Sequence, residues 1–188
     1  MADYFEMEIA GLKRKLPICK LNEKISIAGF LMFSDAELTV VAAKALLDKI
    51  DFDFDIILTA EAKGIPLAHE LSRQSGKNYV VARKAKKVYM RNPIEVEVKS
   101  ITTSFIQRLY LDQADVDLLK SGKILIADDV ISTGASLNAL ETLVAEFDGD
   151  IAGICAVLAE GEAANRKDIT FLEKLPLLDT KTGLPIDD

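Results

Sequence analysis

Two adjacent carboxylates and a run of small, hydroxyl-bearing residues stand close together in the second half of the chain. Asp128 and Asp129 are followed, after Val130 and Ile131, by the string STGAS. Small side chains let an anion approach backbone N–H groups, and hydroxyls add donors, so the string is suited to a phosphate monoester. Carboxylates would repel that phosphate unless they bind something else, and the vicinal hydroxyls of a ribose fit because carboxylates accept their hydrogen bonds. The pattern therefore indicates a site for a phosphorylated ribose.

The residues around this string place it between a strand and a helix. Lys123–Ala127 reads KILIA and predicts a buried strand, followed by a loop over 128–134 and a helix to about Phe147. Asp129 or Ser132 could simply cap that helix, and this would explain an isolated DD or STG. The whole string between a strand and a helix favours a binding site. The sequence has no GKS, GKT or GxGxxG, so it supports neither a nucleoside triphosphate P-loop nor a dinucleotide fold.

Two further polar segments follow predicted strands. The turn EAKG follows the strand Asp55–Thr59 and carries Lys63, and the string RKAKK follows the strand Asn78–Ala82. Alone, AKG could be only a helix-start turn, and a basic run is usually a solvated face. A basic run directly after a strand favours contact with a polyanion instead. The basic residues of this run are Arg83, Lys84, Lys86 and Lys87.

Short apolar strands that alternate with helices predict how these segments meet. Strands of about five apolar residues, each followed by a helix, indicate a parallel sheet with helices on both faces. Ligands bind such sheets at the carboxyl ends of the strands. The remaining predicted elements are a helix that starts at Ser34 as cap with Glu37 three residues on, a helix through His69 to Ser75, a helix over Asp112–Lys120 and a strand over Ile151–Leu158.

Residues Ile94 to Leu111 alternate in polarity. Ile94 and Val96 fall on one side of an extended chain, and Glu95 and Glu97 fall on the other, which predicts a β-hairpin. The first thirty residues mix short apolar and basic stretches and predict irregular structure or short strands. His69, the one histidine, is interpreted as structural.

Composition limits the class of protein. The chain has 188 residues and a formal net charge of −7, which argues against a protein that coats nucleic acid or anionic lipid. No apolar run reaches the roughly 18 residues of a membrane span, and the N-terminus has no apolar signal core. Cys19 and Cys155 lie among apolar neighbours and indicate neither a disulfide framework nor a zinc site. We expect one cytoplasmic domain over residues 1–188 with no nucleic-acid or membrane partner.

The string IADDVISTGAS resembles the phosphoribosyl pyrophosphate (PRPP) signature of the type I phosphoribosyltransferases. That resemblance implies an α/β fold with a central parallel sheet, a small hood built from the chain termini and a β-hairpin flap. It also implies that Asp128 and Asp129 bind the ribose hydroxyls. The 5′-phosphate would be bound by Ser132, Thr133, Gly134, Ala135 and Ser136. Ile169–Leu178 is similar to the closing strand of the purine salvage fold.

Two other segments resemble the adenine enzymes of that family. TAEAKGIPLA is similar to their EARG segment, with Lys63 in place of the arginine, and VARKAKKVY resembles their RK-x-x-K string. The resemblance implies that Lys63, Arg83, Lys84 and Lys87 bind pyrophosphate. Mg²⁺ would be held mainly through PRPP, with no metal ligand assigned in the chain. The hairpin over 91–110 would be the flap, with Glu97 the nearest counterpart of its catalytic glutamate and Glu95 the second.

The expected reaction is transfer of a 5-phosphoribosyl group from PRPP to N9 of a purine, in purine salvage, by a homodimer as the family implies. Hypoxanthine-guanine enzymes have an aspartate where Ser132 stands, and both they and xanthine enzymes use a lysine after the next strand, where Leu158–Asn165 has acids and no lysine. The exocyclic amino group of adenine needs a hydrogen-bond acceptor, whereas the exocyclic oxygen of an oxopurine needs a donor. A segment with acids and no lysine therefore favours adenine.

The VISTG loop resembles the xanthine enzymes as much as the adenine ones, so xanthine or another purine is an alternative. A non-catalytic PRPP-sensing regulator is a further one, although such regulators carry an added DNA-binding domain. Orotate phosphoribosyltransferases lack the EAKG-like match, and ribose-phosphate diphosphokinases need two such domains.

Overall fold

The computed structural model describes residues 4–99 and 106–186. Its strands are β1 (Tyr4–Ile9), β2 (Leu12–Lys20), β3 (Ile25–Ala28), β4 (Ile56–Ala60), β5 (Asn78–Ala82), β6 (Ile94–Lys99), β7 (Ile106–Leu111), β8 (Lys123–Ile131), β9 (Asp150–Glu160), β10 (Thr170–Leu175) and β11 (Leu177–Asp179). Its helices are α1 (Ala36–Lys49), α2 (Ile65–Ser75), α3 (Gln113–Leu119) and α4 (Ala135–Ala145), and a 3-10 turn covers Gly161–Asn165.

Five parallel strands form the central sheet in the order β10-β9-β8-β4-β5. Because successive side chains of a strand point to opposite faces, the apolar residues of the sheet contribute to two hydrophobic cores, one on each face. Ile56 and Leu58 of β4 join the core that contains α3, α4 and the hairpin, whereas Ile57 joins the core that contains α1 and α2. The predicted sheet with helices on both faces is therefore confirmed.

An antiparallel sheet of order β1-β2-β3-β11 packs at one end of the molecule. Leu177 of β11 pairs with Ile27 of β3, so segments from both ends of the described chain build it, as expected for a hood. The expectation of irregular structure or short strands fits β1 and β3 but misses the nine-residue β2. Arg14 occupies an inward position of β2 beside Asp35, with 2.6 Å between its Nε and Oδ2 of Asp35. A charged residue at an inward position breaks the alternation of apolar and polar residues by which a strand is predicted from sequence.

Helix α1 is capped by Asp35, and the prediction that Ser34 is the cap was wrong. The Asp35 carboxylate accepts the N–H of Leu38 at 3.0 Å, while Ser34 has a φ of +66°. The hydrogen bond from Arg14 to Asp35 holds the pKa of Asp35 below its ordinary value, so the capping side chain stays charged. A capping carboxylate is favoured because the N-terminus of a helix carries partial positive charge.

Strand β8 continues to Ile131, beyond the predicted end at Ala127. Val130 and Ile131 still pair with Leu158 and Ala159 of β9, and Ile131 is buried. The loop therefore begins at Ser132, and the backbones of Asp128 and Asp129 are fixed by the sheet.

The predicted hairpin is confirmed as the antiparallel pair β6 and β7. Val96 and Leu109 are buried in the core against α4, which anchors the base of the hairpin. Arg83 and Tyr110 exchange two backbone hydrogen bonds of 2.9 and 2.8 Å, so the hairpin is also joined to the chain that follows β5. Residues 100–105 of the expected flap lie outside the described residues. In the described part of the chain, no helix combines the length and apolarity needed to cross a membrane.

Candidate active site

The carboxyl ends of the central strands meet the hood at a cleft of about 360 Å³. It is lined by hood residues Ile27, Ala28, Gly29 and Phe30, by Ala60, Glu61, Ala62 and Lys63 after β4, and by Lys84, Asp128, Asp129, Val130, Ser132, Ser136, Glu160 and Leu175. An adjoining pocket of about 60 Å³ is lined by Thr133, Gly134 and Ala135 together with neighbouring residues of the same loop. The structure thus brings together most of the residues singled out in the sequence.

Asp129 is almost completely buried, with 2% of its surface exposed. Its Oδ2 atom lies 3.2 Å from Nζ of Lys63, yet it makes no hydrogen bond with the described residues. A buried carboxylate oxygen without a hydrogen bond is costly, because it has lost water without a full replacement. Asp129 therefore retains the capacity to accept a hydrogen bond from a ligand in the cleft.

Asp128 lies beside it and is only partly exposed. Its Oδ1 accepts the N–H of Asp129 at 2.9 Å. Burial raises the pKa of Asp128, and the charge of Asp129 raises it further. Asp128 can therefore donate to a sugar hydroxyl when it is protonated and accept from one when it is ionised.

The EAKG turn packs directly on the strand ends at Gly64. A Cβ at this position would overlap the hydroxyl of Thr59 and would lie 3.1 Å from Oδ1 of Asp128. Only glycine fits without a shift, and this close approach brings Lys63 to Asp129. The peptide bond between Glu61 and Ala62 in the same turn is cis.

The loop between β8 and α4 forms the adjoining pocket. Gly134 precedes α4 with a φ of +76°, in the left-handed region that favours glycine, and no side chain caps this helix. The first N–H groups of α4 are thus left to a ligand, and the helix dipole favours an anion there. Arg166 was missed by sequence reasoning, and its Nη1 lies 3.7 Å from where a Cβ of Gly134 would stand.

The basic loop, defined as Arg83–Lys87, meets the EAKG turn through Glu61. Arg83 Nη1 lies 3.2 Å and Lys87 Nζ 3.6 Å from Oε1 of Glu61, and Lys84 lines the cleft. Sequence reasoning missed Glu61 as a contact of the basic loop, because its partners are more than twenty residues away along the chain.

Glu160 ends β9 and lies in the cleft with the hood residue Phe30 and with Leu175. Burial raises the pKa of its carboxyl group, and the charge of Lys63 opposes that change. The carboxyl makes no hydrogen bond with the described residues. The sequence analysis identified the acidic segment Leu158–Asn165 but did not single out Glu160 within it.

Glu97 lies on the exposed side of the hairpin and is not among the residues that line the cleft. Its carboxylate accepts Nε of Arg108 at 2.6 Å, and Arg108 also lies 3.5 Å from Glu95. The structure therefore does not bring Glu97 together with the other candidate residues. His69 packs edge-on against Tyr79, with ring centroids 5.8 Å apart, as a structural histidine does.

Comparison with known proteins gives one family and several purine-related relatives. The family model "Phosphoribosyl transferase domain" matches residues 34–182. An adenine phosphoribosyltransferase of Pseudothermotoga lettingae is 33% identical over 120 residues, which are 61% of this chain and 67% of that protein. A hypoxanthine/guanine phosphoribosyltransferase of Methanothermus fervidus is 33% identical over 134 residues, 71% of this chain and 67% of that protein.

Transcriptional regulators are also similar. A probable purine biosynthesis transcriptional regulator of Streptococcus pneumoniae is 27% identical over 173 residues, which are 85% of this chain but only 60% of the regulator. Among solved structures, adenine phosphoribosyltransferase from Thermoanaerobacter pseudethanolicus matches with a TM-score of 0.65 and 21% identity, over 92% of this chain and 96% of that one. This likeness supports the fold.

Proposed function

The chain belongs to the phosphoribosyl transferase domain family, and we propose that it transfers the 5-phosphoribosyl group of PRPP to N9 of adenine and releases pyrophosphate. One observation carries the proposal: the paired acids, Lys63, Lys84 and the loop before α4 line one cleft and the pocket that adjoins it. These are the chemical groups that a ribose, a phosphate monoester and a pyrophosphate each require.

In the proposed reaction, Asp128 and Asp129 bind the vicinal hydroxyls of the ribose, and Ser132–Ser136 bind its 5′-phosphate. The bond between C1 and the pyrophosphate oxygen breaks as the bond from C1 to N9 forms, through an oxocarbenium-like transition state. The nearby carboxylates favour the positive charge that develops at the ribose. Lys63 and the basic loop stabilise the negative charge on the departing pyrophosphate.

Magnesium fits this cleft as a substrate-bound ion. The described residues contain no group of three or more side chains suited to hold a metal, and Mg²⁺ is commonly bound by one or two carboxylates together with substrate phosphates. The paired acids, Asp128 and Asp129, are the carboxylates that could add to the oxygens of PRPP. When bound, the ion would supply positive charge to the leaving group.

Glu160 supports adenine as the base. An ionised carboxyl group accepts a hydrogen bond from an exocyclic amino group and repels an exocyclic oxygen. The cleft places this acid with apolar residues of the hood, including Phe30, which can pack on a planar base. The adenine phosphoribosyltransferase relative is consistent with this choice, whereas the hypoxanthine/guanine relative leaves another purine as the alternative.

The flap is proposed to supply Glu97 as the group that receives the proton of the base. To do so, Glu97 has to exchange its ion pair with Arg108 for a place over the cleft. We also propose that residues 1–188 form a single domain and that the protein is a homodimer located in the cytoplasm.

A PRPP-sensing regulator is the second candidate. It is favoured by the match of a transcriptional regulator to 85% of this chain and by the position of Glu97 outside the cleft. A sensor would bind PRPP in the same cleft without transferring it to a base.

The experiment that separates these functions supplies PRPP and Mg²⁺ with adenine, hypoxanthine, guanine, xanthine or orotate and follows pyrophosphate release. We expect the highest kcat/KM with adenine. PRPP binding without turnover of any base would favour the sensor, and a higher kcat/KM with an oxopurine would contradict the choice of adenine.

A further inference from the structure

Glu61 joins two segments of the cleft that the sequence keeps apart. It belongs to the EAKG turn after β4, and its side chain reaches the basic loop after β5. We propose that Glu61 is a positioning residue that orders the basic loop so that its cations are held ready for pyrophosphate. This inference rests on the proposed function, because it assigns Glu61 to the same reaction.

Three contacts of the Glu61 carboxylate define the junction. Oε2 accepts the backbone N–H of Lys84 at 2.9 Å, and Oε1 lies 3.2 Å from Nη1 of Arg83 and 3.6 Å from Nζ of Lys87. The backbone N–H of Glu61 also donates to the carbonyl of Ala82 at 2.9 Å. One side chain thus fixes both the backbone and two charged groups of the loop.

The carboxylate is in an environment that keeps it charged. Only 20% of the side chain is exposed, and burial alone would raise its pKa. The N–H of Lys84 and the charges of Lys87 and Arg83 outweigh burial and hold the pKa of Glu61 below its ordinary value. Glu61 is therefore a fixed negative charge at neutral pH rather than a group that moves a proton.

The basic loop needs such a charge. Four of its five residues are cationic, and like charges at this spacing repel one another. Arg83 is held on its other side by the backbone bonds to Tyr110, so Glu61 and the hairpin together clamp the start of the loop.

Glu61 does not use up the donors that a pyrophosphate would need. It takes one guanidinium nitrogen of Arg83, and within the described part of the chain Nε and Nη2 make no hydrogen bond. The ammonium of Lys87 has three donors and lies only at ion-pair distance from the carboxylate. Lys84 is held through its backbone, which leaves its side chain in the cleft.

The test compares Glu61→Ala and Glu61→Gln with Glu23→Gln, which removes a surface carboxylate that pairs with Lys20. Calorimetry measures the binding of inorganic pyrophosphate with Mg²⁺, and steady-state kinetics measure KM for PRPP and for adenine separately. We expect Glu61→Ala to weaken pyrophosphate binding and raise KM for PRPP by about tenfold, the effect of roughly 1.4 kcal/mol. Glu61→Gln should lie between it and the native chain, KM for adenine should stay unchanged, and Glu23→Gln should behave as native.

A double-mutant cycle shows whether Glu61 acts through Arg83. In an Arg83→Ala background, Glu61→Ala should cost much less than it does alone, because residues that act as a unit are not additive. If Glu61→Ala unfolds the chain, Glu61→Gln carries the same cycle.

Unchanged or tighter pyrophosphate binding in folded Glu61 variants would overturn the inference, and so would full additivity with Arg83→Ala. Either result leaves the proposed function intact if the native chain turns over PRPP. Failure of the native chain to bind PRPP or pyrophosphate would instead overturn the proposed function and this inference with it.

Discussion

Asp128 and Asp129 are neighbours in the chain, yet the structure holds them differently. Asp129 is buried beside Lys63, while Asp128 carries a raised pKa because of burial and the adjacent charge. Two carboxylates placed this close destabilise the folded chain, and binding sites commonly keep such groups where a ligand requires them. We therefore expect function and stability to oppose each other at this pair.

Replacing Asp128 by Asn tests that opposition through pH. Native Asp128 binds its proton more tightly when folded, so stability falls as pH rises from the ordinary carboxyl range through the raised pKa of Asp128. Asp128→Asn removes this loss of stability, because asparagine does not ionise. Its thermal midpoint should exceed that of the native chain by roughly 2–4 °C at pH 8, a shift that about 1 kcal/mol produces in a chain of this size.

The difference should vanish near pH 4, where the native carboxyl is protonated as well. Calorimetric scans across pH measure both values. A variant that is less stable than the native chain at pH 8 would show that the Asp128 charge stabilises the fold.

Glu160 is the residue on which the choice of base is proposed to depend. Glu160→Gln keeps the shape of the side chain and adds an N–H donor. It should therefore lower kcat/KM for adenine by about tenfold and reduce the ratio of kcat/KM for adenine to kcat/KM for hypoxanthine. Glu162→Gln, on the exposed turn that follows, is the matched control and should leave both values unchanged. Equal loss with both bases would assign Glu160 a role other than specificity.

At the scale of elements, the site depends on strand ends that are fixed by the sheet and on turns that pack against them. The EAKG turn has no free space at Gly64, where the Thr59 hydroxyl and the Asp128 carboxylate meet the glycine. Because Thr59 belongs to β4 and Asp128 to β8, this contact fixes where the turn, and therefore Lys63, lies relative to the two strands.

A methyl group at this position should displace the turn. We expect Gly64→Ala to destabilise the fold by about 1–3 kcal/mol, as overpacking does, and to raise KM for PRPP. The double variant Thr59→Ala/Gly64→Ala removes the hydroxyl that the methyl group meets, and it should recover part of both losses. Denaturant unfolding and kinetics provide the two measurements, and a Gly64→Ala chain with native values in both would contradict the close packing.

Apolar runs and local motifs allowed the parallel strands, the hairpin and the polar segments at the strand ends to be predicted. What they could not predict depends on partners distant in sequence. Asp35 rather than Ser34 caps α1, and Asp35 also binds Arg14 from the hood. Strand β8 extends past Ala127 because β9 pairs with it, and Glu61 reaches Arg83 across two strand ends.

For the whole molecule, the acidic total and the basic cleft are separate features. The net charge is −7, but Lys63 and Lys84 line the cleft, and Arg83 and Lys87 form ion pairs with Glu61, another residue of its lining. The family model covers residues 34–182, whereas β1 to β3 of the hood precede that range. The hood lines the side of the cleft proposed for the base, so family membership alone does not determine which base is accepted.

A local basic field predicts a selective response to salt. PRPP is highly charged and adenine is neutral, so raising ionic strength from about 0.05 to 0.5 M should raise KM for PRPP severalfold and leave KM for adenine nearly constant. Steady-state kinetics at several concentrations of NaCl test this prediction. Equal increases for both substrates would indicate a general effect of salt on the protein.

The central claim is tested most directly by measuring AMP formed from PRPP and adenine by the native chain and by Asp128→Asn/Asp129→Asn. We predict one AMP for each pyrophosphate released by the native chain, and loss of turnover by about a thousandfold or more in a variant that still folds, because the ribose is no longer positioned. Native turnover in the double variant, or no AMP from the native chain, would contradict the account.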